Sequence, residues 1–209
     1  FGFAALSIGI GALQLMLDRG EQLGWFDSTE IIVTSIVSAT GFYFFIAHSL
    51  TTPKPFISIE IFRDRNFIIG LIFMFMCGVL LVASMALMAP FFQSVMGYPI
   101  IEAGQLLATR GIGMALAMLT AGRLMTRVDP RLMLAFGLTC CTVSLYYSIG
   151  FGPDTPVKTI VWVSLLQGFG LGYLFVPLNT VALSSVKPAL LTQATAMWTL
   201  IRNLGSSIG

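Results

Sequence analysis

The sequence predicts an all-α protein, a polytopic bundle of transmembrane helices. Three observations lead there. First, 56% of the 209 residues are hydrophobic and only 10% are charged, with a mean hydropathy of +0.91. A soluble domain is nearer roughly 45–50% apolar and about 25% charged. Second, seven apolar runs reach or approach the ~20 residues that cross a hydrocarbon core of ~30 Å. Third, the joints between the runs alternate in charge. Too little charge is left to coat a water-facing surface, which excludes an ordinary cytosolic enzyme, a disordered chain and a disulfide-stapled secreted module. The net charge of +2 is too small to argue for a nucleic-acid partner.

The runs fall at 1–17, 31–50, 67–92, 103–125, 132–151, 157–182 and 189–209. The first stops at the polar joint DRGEQLGWFDSTE and the second at a Pro53/Pro55 break. Residues 51–66 then alternate apolar and charged side chains in FISIEIFRDRN, which reads as a cytoplasmic amphipathic linker or as a helix lying on the membrane surface. The third run carries Pro90 near its end and the sixth carries Pro177, each expected to kink its helix. QSVMGYPIIE, TRVDPR, GPDTP and SSVKP mark the remaining joints. Barrel strands alternate over about 10 residues, whereas these runs are continuous. Phe1 stands first rather than Met, and GSSIG falls within an apolar run, so an internal piece of a longer chain is expected.

Charge orients the spans. The joints at 51–66, 122–131 and 184–188 carry Lys54, Arg63, Arg65, Arg123, Arg127, Arg131 and Lys187. The alternate joints carry only Arg19 and Lys158, with Asp18, Glu21, Asp27, Glu30, Glu102 and Asp154. The positive-inside rule puts the basic set in the cytoplasm.

Two charges fall inside spans. Arg110 sits about 7 residues into its run and Arg202 about 13, or roughly 10 and 20 Å deep at 1.5 Å per residue. Charge within the bilayer costs about 2.5–3.5 kcal/mol even on lenient scales and normally faces a cavity or a partner. Arg110 is shallow enough to snorkel to the outer interface or to bond a neighbouring helix. Arg202 lies beside Asn203 and is the stronger candidate. No Asp or Glu lies deep in a span, so Asp18 and Glu21 at the outer end of the first run are the acids left for proton coupling. His48 reads as an interfacial histidine. Gln93, Gln167, Asn179 and Gln193 read first as bonds between helices, with Gln93 kept as a substrate candidate. QGFGLG has no strand before it, so Gly168 and Gly172 make a packing face rather than a nucleotide loop. Cys77, Cys140 and Cys141 read as buried small hydrophobes. No catalytic constellation is present, and neither a cofactor nor a metal is implied.

LQLMLDRGEQLGWFDS at 13–28 resembles the signature of the fourteen-helix drug:proton antiporters of the major facilitator superfamily, the EmrB/QacA type. IEIFRDRNF, QSVMGYPIIEAG, ATRGIGMALAM, AGRLMTRVDPR, GFGLGYLFVPLNTVAL and LIRNLGSSIG follow in the same order. The resemblance implies two linker helices at 1–50, a cytoplasmic linker at 51–66 and five of the six helices of the C-terminal bundle at 67–209. It also implies export of hydrophobic, often cationic compounds in exchange for protons, with membrane lipid around the chain and a periplasmic adaptor protein as a further partner. AGRLMTRVDPR looks like the second-half copy of the superfamily's cytoplasmic loop motif: Gly122 and Arg127 match it, with Arg123 in the same loop, but Thr126 stands where that motif has its acid and Asp129 is displaced. The charge latch attributed to that loop is therefore not expected in this half. Two readings compete with drug export: a carrier of a siderophore, metabolite or other specific solute, and a seven-helix receptor or sensor that moves nothing.

Overall fold

The computed structural model describes residues 1–52 and 57–208; the Pro53/Pro55 break, Lys54 and Gly209 lie outside them. The seven runs fold as seven α-helices among the described residues: α1 Gly2–Gly20, α2 Thr29–Thr51, α3 Arg65–Pro90, α4 Ile100–Leu124, α5 Pro130–Ser148, α6 Val157–Ser184 and α7 Leu191–Ile208. α4 begins three residues earlier than its run, and α5 stops three residues before its run ends. Local chemistry sets two of the starts. The Asp64 carboxylate accepts from the backbone N–H groups of Asn66 (2.9 Å) and Phe67 (3.1 Å) and so caps α3. Asp129 caps α5 by accepting from the Arg131 N–H (2.8 Å), with Pro130 in the first helical position.

Pro90 ends α3 by widening the helix. Lacking a backbone donor, it passes the chain into a π-turn at Phe91–Val95. There the Met96 N–H reaches back to the Phe91 carbonyl (3.2 Å) and the Tyr98 N–H to that of Phe92 (2.9 Å). Pro177 lies inside α6, which continues past it to Ser184.

Glycines bring the helices together in pairs. On the α1–α2 pair a Cβ at Gly41 would lie 2.7 Å from the Gly9 Cα, and the Ser38 hydroxyl donates to the Gly9 carbonyl at 2.9 Å. On α3–α7, Gly78 abuts the Arg202 carbonyl and Gly205 that of Phe75. On α4–α6, Gly113 faces the Leu165 carbonyl, Gly168 that of Arg110, and Gly172 the Ala117 methyl. On α5–α6, Gly137 meets the Gly170 carbonyl. Lipid tails are as apolar as leucine, so helices in a bilayer gain most from close contact, which small residues allow. The packing reading of Gly168 and Gly172 holds.

The largest core joins α3, α6 and α7 through Phe67, Met74, Leu171, Leu174, Ala194 and Trp198, and Leu6 and Ile10 of α1 reach it. Outside lies a broad apolar skin that includes Tyr43, Ile72, Met76, Leu119, Tyr146 and Trp162. In water such a skin is an aggregation liability; against lipid it is the native surface. α2, α3 with its π-turn and α6 are long and apolar enough to cross a membrane. The other four are 18–25 residues long and less apolar on average.

The α2–α3 joint corrects one option. Ile57 and Ile61 are buried in the bundle core, so the described part of this segment faces protein rather than lying on the headgroups. It is tied to the α6–α7 joint: the Ser58 N–H donates to Gln193 Oε1 (2.8 Å), and Lys187 pairs with Glu60. At the opposite end, Phe92, Ala103, Leu106 and Ile160 gather the α3–α4 and α5–α6 joints into a separate cluster. Two of the basic joints are thus fastened together at one end, and two of the acidic joints at the other.

Candidate functional site

Arg110 is the charged side chain that the fold encloses. It stands 10 residues into α4, roughly 15 Å along the axis at 1.5 Å per residue, and it is 7% exposed. Its burial places the guanidinium against protein rather than out along the exposed surface of α4. The expected bond to a neighbouring helix is missing. Nη2 is buried with no hydrogen-bond partner, and no ion pair reaches the guanidinium among the described residues. The Cys141 thiol of α5 lies within electrostatic range of it. A cavity of about 400 Å³ lies alongside, walled by Leu81 and Met85 of α3, by Gly104, Leu107, Ala108, Gly111 and Met114 of α4, and by Leu171 of α6.

Arg202 does not join it. The residue lies on the exposed face of α7, and Asn203 beside it is half-buried. That face continues through Thr192, Thr195 and Thr199 into a groove of about 620 Å³ shared with Phe3, Leu6, Ser7 and Ile10 of α1. The Thr195 and Thr199 hydroxyls donate to carbonyls of their own helix, which leaves acceptor lone pairs toward the groove. Gln93 is exposed on the π-turn and lines neither concavity.

The acids named from sequence sit in the α1–α2 corner. Glu21 accepts from the Trp25 indole N–H (3.2 Å), Asp18 is exposed, and Arg19 pairs with Glu30. Trp25 itself adopts a left-handed backbone (φ 55°), with its ring over Gly20. Much of the DRGEQLGWFDS signature is thus spent on building the turn. In the loop motif Gly122 opens to space, Arg123 and Arg127 are exposed, and Asp129 caps α5; no ion pair links them among the described residues. Gln193 bonds to the α2–α3 joint, whereas Asn179 donates to the Phe175 carbonyl of its own helix (2.9 Å) rather than across helices. His48 contacts Thr52 (3.1 Å) and the Phe1 ring at the end of the α1–α2 pair.

The α2–α3 joint carries two shifted carboxylates. The Lys187 ammonium, by hydrogen bond and by charge, holds Glu60 below its ordinary value, with Arg63 adding to it. Burial alone would raise Asp64, but the Ser185 hydroxyl and the Phe67 and Asn66 amides together outweigh it and hold the carboxyl low.

The sequence profile of the Major Facilitator Superfamily matches residues 1–209. The chain belongs to the major facilitator superfamily. Within this superfamily it is 34% identical over 209 residues to the Multidrug export protein EmrB of Escherichia coli (strain K12), matching 100% of this chain and 41% of that protein. It is 30% identical over 208 residues to the Fatty acid resistance protein FarB of Neisseria gonorrhoeae, again 100% of this chain and 41% of the relative. It is 24% identical over 203 residues to the Lincomycin resistance protein LmrB of Listeria monocytogenes, 97% of this chain and 43% of the relative. The chain therefore spans about two fifths of the length of the curated relatives it matches. The superfamily is one of integral membrane transporters rather than enzymes, and the all-helical fold of this chain agrees with membership.

Two features escaped the sequence. The Gly104, Ala108 and Gly111 wall of the cavity has an i, i+4, i+7 spacing on α4, which local sequence does not distinguish from a helix-packing stripe. The Ser58–Gln193 and Glu60–Lys187 contacts join residues 135 and 127 positions apart and left no local signal.

Proposed function

We propose that this chain is part of a proton-coupled exporter of hydrophobic or amphipathic small molecules that works by alternating access in the bacterial cytoplasmic membrane. One observation carries the reading: relatives matched over nearly the whole chain are named for export of, or resistance to, chemically unlike compounds, namely multiple drugs, fatty acids and lincomycin. The geometry supports it with apolar concavities that each include a few polar groups. In this reading α1 and α2 are linker helices, α3–α7 belong to the C-terminal bundle, and the segment at 51–66 is the cytoplasmic linker. Arg110, Arg202, Asn203 and Gln93 contact substrate or tune coupling. Asp18 and Glu21 are secondary acids, and the main proton carrier lies in the part of the full-length protein that this chain does not span. A periplasmic adaptor protein receives the cargo.

The test uses the full-length protein, encoded by the reading frame that contains this chain, in vesicles with an imposed pH gradient. A fluorescent lipophilic probe is expected to move against its concentration while the gradient lasts and to stop when a protonophore is added. No movement by folded protein across a panel of lipophilic probes would sink the reading in favour of a carrier of one specific solute.

A further inference from the structure

We propose that the cavity between α3, α4 and α6 binds a lipophilic anion, whose carboxylate or comparable acidic group pairs with Arg110 while its apolar body lies along Leu81, Met85 and Met114. The proposal rests on the export reading above and assigns a charge class to one site within it.

The argument starts from a charge that cannot be discharged. A guanidinium stays protonated in proteins, so Arg110, at 7% exposure and with Nη2 unbonded, is a buried cation with unmet donors. A buried charge without a counter-charge is strongly unfavourable. None of the residues walling the cavity is acidic. Glu102 lies eight residues earlier on α4, about 12 Å along the axis, and is exposed.

The second observation concerns room. Gly113 and Gly168 are small because another backbone touches them. Gly104 and Gly111 are not: a Cβ at either would meet nothing within 4 Å. A helical glycine costs up to about 1 kcal/mol relative to alanine, and at these two positions no neighbouring helix accounts for that cost. Both line the space beside the guanidinium. The volume, about 400 Å³, falls within the roughly 300–1,000 Å³ of small-molecule sites. The planar guanidinium matches a carboxylate with two parallel hydrogen bonds. A cationic amphiphile of the same length meets like charge there and is turned away.

The experiment measures equilibrium binding to the full-length protein in zwitterionic nanodiscs with no pH gradient. The probes are dodecanoate below its micelle concentration, its methyl ester and dodecyltrimethylammonium. Wild type is expected to bind the acid at least tenfold more tightly than the ester and to bind the cation least. Arg110→Gln is expected to erase the preference for acid over ester. Gly104→Leu keeps the arginine but fills the room beside it, and is expected to weaken acid binding at least tenfold with an unchanged melting temperature. Equal affinity for acid and ester in wild type would overturn the proposal and would point to a carboxylate of the full-length protein as the partner of Arg110. A preference for the acid that survives Arg110→Gln would overturn it as well. Acid binding without gradient-driven flux keeps this site and removes the export reading; flux without acid preference does the reverse.

Discussion

Gly168 of α6 lies against the backbone carbonyl of Arg110 on α4, with no space between them for a methyl group. The same arginine thus serves packing through its backbone and faces a cavity with its side chain. Gly168→Ala is expected to force the two helices apart at a cost of about 1–3 kcal/mol. Gly104→Ala, on the open side of α4, is expected to be neutral or stabilising by up to about 1 kcal/mol. Thermal unfolding of the two full-length variants in detergent checks the contrast, and equal shifts would refute it.

Asp64 caps α3, and its carboxyl is held below the ordinary value of 3.8 by the Ser185 hydroxyl and two amides despite burial. A carboxyl with a lowered folded pKa contributes stability above its unfolded value and loses it as pH falls through the folded one. Asp64→Ala is expected to cost about 1 kcal/mol at pH 7. The gap from wild type should close only below about pH 3.8. A melting-temperature series from pH 7 to about pH 3 reads this directly. A gap that widens in acid would show that the cap acts otherwise.

Glu21 accepts from Trp25, whose ring covers Gly20. An amide oxygen accepts as well as a carboxylate oxygen, so Glu21→Gln is expected to leave stability within about 0.5 kcal/mol. Gly20→Val drives a branched side chain into the indole and is expected to cost more than 1 kcal/mol. If Glu21 carries protons, Glu21→Gln loses gradient-dependent flux at unchanged stability. Unchanged flux would limit Glu21 to its part in the turn.

Arg202 is exposed on α7 and makes no side-chain hydrogen bond or ion pair among the described residues. Arg202→Ala is therefore expected to change stability by no more than about 0.5 kcal/mol while cutting transport severalfold. Expression level, melting temperature and vesicle flux of the full-length variant are the readouts. Wild-type flux would remove Arg202 from the site.

The packing of the bundle was partly readable. Gly113, Ala117 and Ala121 recur at four-residue spacing on α4, as Gly168 and Gly172 do on α6, and these stripes meet. The Gly9–Gly41 and Gly78–Gly205 crossings use glycines from separate helices, and neither segment alone distinguishes a packing glycine from a cavity glycine. Arg110 and Arg202 are alike in the sequence as charges within apolar runs. The fold separates them, burying Arg110 and leaving Arg202 exposed, because burial depends on which neighbour covers a helix face.

The sequence by itself determined the number, type and order of the helices and which joints share a charge class. Those properties follow from how each short segment partitions between lipid and water. Tertiary structure alone decided that Arg110 is enclosed beside a cavity with no ion-pair partner among the described residues, and that the 57–66 segment fastens onto the α6–α7 joint. Each of these depends on contacts between residues distant in the chain, which no local hydropathy or motif encodes.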